Sequence, residues 1–332
     1  MGELVDGVWT SQDQGRTAGG RFVRPDTTFR NWVTADGGPG PRGRGGFCAA
    51  AGRYHLYVSL ACPWAHRTIV FRRLKKLENV VGLSVVSPHM GGDGWTFEER
   101  EGSTGDPVNG ARFLRDIYLL ADPRYCGRVT VPVLWDTDQR TIVSNESADI
   151  IRMFNSAFDA FTPDRTDYYP PALRGDIDRL NAFIYERVNN GVYRAGFATT
   201  QEAYEEAFHA LFDALDVLED RLSHQRYLLG DRLTEADWRL FTTLVRFDAV
   251  YYGHFKCNKR RIVDYRHLPN YLRELYQMPG ISQTVSIDHI KRHYYSSHVH
   301  INPTGIVPLG PDLDFDAPHD RARLADQRRA VG

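Results

Sequence analysis

The sequence predicts an α/β domain followed by an all-α domain, and three observations carry that reading. A buried-strand pattern, HLYVSL, passes directly into helical periodicity at Thr68, Ile69, Phe71, Leu74 and Leu77, beside Arg72, Arg73, Lys75 and Lys76. A second apolar run, NVVGLSVVSP, completes a βαβ start. Beyond residue 171, apolar residues recur at helical spacing over 176–189, 201–221, 235–251 and 271–277.

Composition sets the broad class. With 332 residues, 42% hydrophobic and 25% charged, the chain has the make-up of a soluble globular protein long enough for two domains. A net charge of −1 and a pI near 6.9 give no sign of a nucleic-acid or membrane partner. Cys48, Cys62, Cys126 and Cys257 are widely spaced, and no signal peptide or long apolar run accompanies them, which indicates a reducing cytoplasm. No Cys-rich metal spacing occurs. His289 and His293 lie four apart, but no acidic residue stands between them as in H-E-x-x-H, so they read as packing and hydrogen-bonding groups around Tyr294, and no metal is expected.

In chain order, residues 1–51 form an arm that reads as irregular, with Phe22, Phe29 and Trp32 as anchors. Residues 52–155 form the α/β domain. Within it a polar, Gly-rich insertion runs from His89 to Asn109 with Trp95 as its anchor. A helix is expected over 112–120, then VTVPVLWD and RTIVS as two strands around a turn at Asp138 and Gln139. A helix opens at Asn145-Glu146-Ser147, with Ser144 or Asn145 as its cap. Residues 156–170 are punctuated by proline and read as the linker. Residues 171–311 form a helical bundle, in which Thr234 and Asp237 make a capping box, and 312–332 form a loose, charged tail.

The chemistry centres on Cys62. It sits where strand hands over to helix, with Pro63 suited to the first helical position. Free N–H groups and the dipole at a helix start favour thiolate, and thiols so placed have pKa values lowered to about 3.5–7.5. His66 and Arg67 stand one turn on. The alternative is a small buried residue behind a strand. Thioredoxin-like redox sites read Cys-x-x-Cys, whereas Cys62-Pro-Trp-Ala65 has alanine in the second place. A disulfide made by Cys62 must then be opened by an outside thiol, such as glutathione. Pro132 inside a strand pattern matches the cis-proline of such folds, so Val131-Pro132 is expected to be cis; an edge-strand proline is the alternative. The turn at Glu146 and Ser147 suits an α-carboxylate at a helix N-terminus, or is capping alone. Arg128 suits a second carboxylate, or is a solvated charge. Tyr193, Tyr251, Tyr252, Tyr294 and Tyr295 come from three helical segments, where half-buried packing is the plain reading of any one.

A strand-rich first half and a helix-only second half is the layout of the glutathione transferase fold, a thioredoxin-like domain followed by a helical bundle. SLACPWAHR, DGWTFEE, RVTVPVLWD, NNGVYRAGFATTQEAY, LVRFDAVYYGHFKCNK, YQMPGI and SHVHINPTGIVPLGP together resemble the glutathionyl-hydroquinone reductases, or Xi-class glutathione transferases, from about Asp6 to Pro311. The resemblance implies Cys62 as nucleophile. It implies Trp95, Arg128, Val129, Glu146 and Ser147 as the glutathione site, and Tyr193, Tyr251 and Tyr294 as the quinol pocket. It further implies a small-molecule glutathionyl-quinol substrate, glutathione as co-substrate with another small thiol as the alternative, and a homodimer. A glutaredoxin-like protein deglutathionylase would use Cys62 without the tyrosines, and a binding module would need neither.

Overall fold

The computed structural model describes residues 2–11, 17–99 and 101–324. In chain order the strands are β1 (Glu3–Val5), β2 (Val8–Thr10), β3 (Thr17–Ala18), β4 (Arg21–Phe22), β5 (Tyr54–Val58), β6 (Val81–Val85), β7 (Gly127–Arg128), β8 (Val133–Asp136) and β9 (Thr141–Ser144). The helices are α1 (Pro63–Leu74), α2 (Leu114–Ala121), α3 (Ser147–Ser156), α4 (Arg174–Ile184), α5 (Gly191–Gly196), α6 (Gln201–His224), α7 (Glu235–Arg246), α8 (Leu268–Tyr276) and α9 (Ile287–Ser297). They form two compact units: Met1–Gly15 with Pro25–Thr166 and Thr284–Val307, and Arg16–Arg24 with Asp167–Gln283 and Pro308–Gly332.

The first unit is built on a four-stranded sheet in the order β6-β5-β8-β9. β5 lies parallel to β6 and antiparallel to β8, and all five of its residues are buried, His55 among them. α1 supplies the crossover between the parallel pair, packing on β5 and on α3. The Val131-Pro132 bond is cis as expected, and β8 starts at Val133, so the proline precedes the ladder instead of interrupting it.

The arm is more regular than its composition suggests. β1 and β2 form a hairpin across Asp6 and Gly7, whose φ values of 48° and 77° are those of a two-residue turn matched to strand twist. β1 also pairs with β7, Glu3 opposite Arg128 and Leu4 opposite Gly127, and Leu4 is fully buried. Further on, Phe29 lies 5.8 Å from Tyr118 and 5.6 Å from Tyr125.

α9 belongs to this first unit, a correction to the single helical domain expected over 171–311. The reason is local chemistry: the His293 imidazole stacks on Trp95 at 4.7 Å and its Nδ1 meets the Pro88 carbonyl at 3.0 Å. His289 meets the Glu101 carbonyl, and Met90 N–H donates to Ser297 Oγ at 3.1 Å.

Among the described residues, the second unit's named elements are helical apart from the β3–β4 hairpin of the arm. α7 is buried on every side. It starts on the expected capping box, Asp237 accepting from Thr234 N–H at 2.8 Å, and the same carboxylate also takes the Leu228 N–H and the Tyr271 hydroxyl at 2.9 Å each. Two wide helical turns with i→i−5 hydrogen bonds interrupt the α pattern: Asn190 N–H to Tyr185 O at 2.8 Å, and Tyr252 N–H to Phe247 O at 2.9 Å. Tyr193 follows the first and Tyr251 ends the second.

The tail is anchored as far as it is described, contrary to the loose segment expected; residues 325–332 lie outside the described part. Arg321 is fully buried and donates to the carbonyls of Leu222, Gln225 and Arg226 at the end of α6. A guanidinium there satisfies acceptors that the helix end leaves open and complements the negative end of its dipole.

Candidate active site

Cys62 is the N-cap of α1, with extended backbone (φ −76°, ψ 122°) and Pro63 as the first helical residue. Its half-buried thiol lies 3.7 Å from the carbonyl oxygen of Val131, to which it donates. The junction therefore places sulfur beside the residue that precedes the cis proline. His66 points elsewhere, its Nε2 2.8 Å from Thr284 Oγ1.

Arg67 reaches the neighbouring helix start. Its guanidinium is buried, lies 4.6 Å from the Trp64 ring centroid and donates to Ser147 Oγ at 3.4 Å. Ser147 opens α3, and Glu146 is the N-cap: its Oε1 accepts from Ala148 N–H at 2.9 Å and its Oε2 from the Thr27 hydroxyl at 3.1 Å. This corrects the expected cap at Ser144 or Asn145. Asn145 is engaged elsewhere, accepting from Phe29 N–H at 3.2 Å and donating to Tyr118 Oη at 3.1 Å. Ser144 Oγ accepts the Glu146 N–H at 3.1 Å.

Tyr118, which the sequence reading did not single out, braces this region. Its hydroxyl donates to Thr130 O at 2.8 Å and accepts from Thr130 N–H at 3.2 Å, so it ties the Val131-Pro132 loop to the entry of α3. Burial pushes its phenol up to about 12. Only its place on the apolar face of α2 could have signalled it, and that is indistinguishable from core.

Trp95 is buried, faces His293 and accepts the Leu114 N–H at 3.0 Å. Arg128 is half-buried at the end of β7, where its carbonyl accepts from Tyr125 Oη at 3.2 Å, and Val129 next to it is buried. Thus Cys62, Trp95, Arg128, Val129, Glu146 and Ser147 all belong to the first unit. So does Tyr294, buried beside the rings of His293 and His298 at 5.5 and 5.4 Å.

Tyr193 and Tyr251 belong to the second unit, with ring centroids 6.1 Å apart, and Phe255 lies 5.4 Å from one and 5.5 Å from the other. Arm residues complete this cluster. The Arg24 guanidinium stands 4.8 Å over the Tyr193 ring and its Nε donates to Asn190 Oδ1 at 3.0 Å, while Phe22 lies 5.3 Å from Phe197. Arg24 too was missed, because nothing local marks an arginine as a ring's neighbour. Tyr252 and Tyr295 are more exposed than Tyr251 and Tyr294 beside them.

Among the described residues, no helix is long and apolar enough to cross a membrane, and no three His, Cys, Asp or Glu side chains gather as a metal set. Residues 61–157 match the glutathione S-transferase N-terminal domain, and residues 201–277 the C-terminal domain. The chain is 60% identical to glutathionyl-hydroquinone reductase YqjG of Escherichia coli K12, over 97% of this chain and 98% of the relative. It is 52% identical to glutathionyl-hydroquinone reductase PcpF of Sphingobium chlorophenolicum, over 94% and 96%. The glutathione-bound structure of E. coli YqjG superposes with a TM-score of 0.90 at 58% identity, covering 97% of this chain and 99% of that one. The Xi-class enzyme of Natrialba magadii gives a TM-score of 0.90 at 52% identity, covering 97% of each chain. Likeness of this extent in sequence and in both domains leaves one conclusion: the chain belongs to the glutathionyl-hydroquinone reductases, the Xi class of glutathione transferases.

Proposed function

We propose that this protein reduces S-glutathionyl-hydroquinones to hydroquinones at the expense of glutathione. The observation that carries the reading is Cys62: a half-buried thiol at the start of α1, beside the carbonyl that precedes a cis proline, in a motif without a second thiol. Cys62 thiolate attacks the sulfur of the substrate. The sulfur–aryl bond breaks, the ring carbon takes a proton, and glutathione remains on Cys62 as a mixed disulfide. A second glutathione thiolate attacks that disulfide, releasing glutathione disulfide and free Cys62. One glutathionyl-hydroquinone and one glutathione thus give one hydroquinone and one glutathione disulfide.

An aryl carbanion is a poor leaving group, so the ring needs help. Tyr193, Tyr251 and Tyr294 supply it in this reading, donating hydrogen bonds to ring oxygens so that the departing electrons rest on oxygen in a keto-like form. Trp95, Arg128, Val129, Glu146 and Ser147 hold the thiol substrate. The α-carboxylate lies at the opening of α3, where the positive end of the helix dipole favours an anion, and Arg128 takes the glycyl carboxylate. The protein acts as a cytoplasmic homodimer and uses no metal.

The test is consumption of a glutathionyl-hydroquinone by wild type and by Cys62→Ala, with mass spectrometry of the Cys62 peptide after one turnover without excess thiol. Loss of turnover in the variant and a glutathione adduct on wild-type Cys62 are expected. Turnover by Cys62→Ala at a wild-type rate would refute the proposal.

A further inference from the structure

We propose that the β1–β2 hairpin, through Trp9, is a positioning element for the thiol-binding edge of the first unit: it sets the turn that delivers Trp95 and the strand that delivers Arg128. This rests on the reading of those two residues as glutathione contacts.

β7 is two residues long, and its sheet has the order β2-β1-β7, so β1 is the strand that makes Gly127–Arg128 part of a ladder. The register sets Glu3 opposite Arg128. The hairpin's own turn is tied to the same segment from the other end, since Asp6 N–H donates to Cys126 Sγ at 3.0 Å and Gly7 N–H to Tyr125 O at 3.1 Å. A Cβ at Gly7 would stand 2.2 Å from the Pro123 carbonyl oxygen, so the approach is close.

The other strand of the hairpin grips the turn ahead of Trp95. Trp9 Nε1–H donates to the Gly92 carbonyl at 2.9 Å. The Arg115 guanidinium, 5.1 Å from the Trp9 ring, donates to the Asp93 carbonyl at 2.6 Å and to its carboxylate at 3.1 Å. Gly94 has φ +74°, and a Cβ there would come within 2.9 Å of the Trp9 ring. Three consecutive residues before Trp95 are therefore fixed by Trp9 or by the arginine stacked near it. Trp9 itself is half-exposed, and burial alone does not account for this convergence.

The experiment uses the full chain carrying Trp9→Ala or Trp9→Phe. Glutathione affinity is measured by calorimetry in a Cys62→Ser background, and KM for glutathione and kcat with Cys62 present. Trp9→Ala should weaken glutathione about tenfold and raise its KM in parallel, with a smaller change in kcat at saturation, because remote binding is lost before chemistry. Hydrogen exchange at the amides of Gly94 and Arg128 should rise together. Trp9→Phe, which keeps a ring over Gly94 and removes only the N–H, should fall between; it also serves if the alanine variant does not fold. Wild-type affinity and KM in the variants, with Arg128→Ala and Trp95→Ala impaired, would overturn the hairpin's role. Wild-type affinity in Arg128→Ala and Trp95→Ala would overturn the proposal by removing the contacts it serves.

Discussion

The imidazole of His293 lies on the indole of Trp95, ring centroids 4.7 Å apart and planes 24° from parallel. A residue near the end of the chain thus backs a residue of the insertion, and the hydrogen bond from His293 to Pro88 fixes the imidazole from the same side of the sequence. Stacking of this kind is worth about 0.5–1.5 kcal/mol. His293→Ala should therefore weaken glutathione roughly two- to tenfold, and His293→Phe should recover most of the loss. Calorimetric titration of both variants decides it, and unchanged affinity in the alanine variant would show that Trp95 needs no backing.

The tyrosines separate a quinol reductase from a general thiol transferase. Losing one donated hydrogen bond to a developing oxyanion costs about 2–4 kcal/mol, or roughly 30- to 1000-fold in rate. Tyr193→Phe, Tyr251→Phe and Tyr294→Phe should each show that loss with a glutathionyl-hydroquinone and nearly none with a simple glutathionyl disulfide, whose leaving thiolate needs no ring oxygen. Equal losses on both substrates would assign the hydroxyls to structure.

Stability should depend on pH through His55. Burial pushes its imidazole down to about 4, and its Nε2 is 2.8 Å from Ser84 Oγ. Between that value and about 6.5 the unfolded chain binds the proton and the folded one does not, so stability falls as pH drops through this window. The full loss is about 3 kcal/mol. Urea midpoints from pH 7 down to pH 4 should fall in wild type and fall less in His55→Asn; parallel curves would remove His55 from the account.

Arg321 should matter more than a tail residue ordinarily does. Its removal strips three carbonyls at the end of α6 of their donor and takes a charge from beside Glu274, whose Oε2 is 3.9 Å away. Arg321→Ala should cost about 3 kcal/mol, as for other buried charge networks that lose one partner. A chain ending before Arg321 should show a similar drop in urea midpoint, and a wild-type midpoint in either variant would count against the cap.

The junction at Cys62 was legible because every signal there is local: an apolar run, a proline that suits a first helical position, and periodicity beyond it. The capping box at Thr234 was legible for the same reason, and the cis bond at Pro132 through the fold that the Cys62 junction suggested. What escaped was set by partners far along the chain. Asn145 is by preference a better cap than Glu146, but Phe29 and Tyr118 occupy it, so the glutamate takes the position. Asp6-Gly7 between apolar pairs is a hairpin signal that composition obscured, and no local pattern announces that β1 adds to Gly127–Arg128. Arg321 looked like solvated charge because its partners are backbone carbonyls, which carry no side-chain signature.

The wide turns before Tyr193 and at Tyr251 each accommodate one residue more than an α-helix would, and an α-helix advances about 100° per residue. Deleting a single residue in the first turn would restore the regular ladder and leave Tyr193 on nearly the same face relative to α4, because the wide turn had absorbed the extra residue. The same deletion in the second would let the Tyr252 N–H keep Phe247 O as its acceptor, now at α spacing, so Tyr252 would stay near its own angular position. In a library of variants these two segments should therefore accept a one-codon deletion that elsewhere in α4 or α7 would turn every later residue by about 100°, a tolerance of length that scoring each position separately would not register.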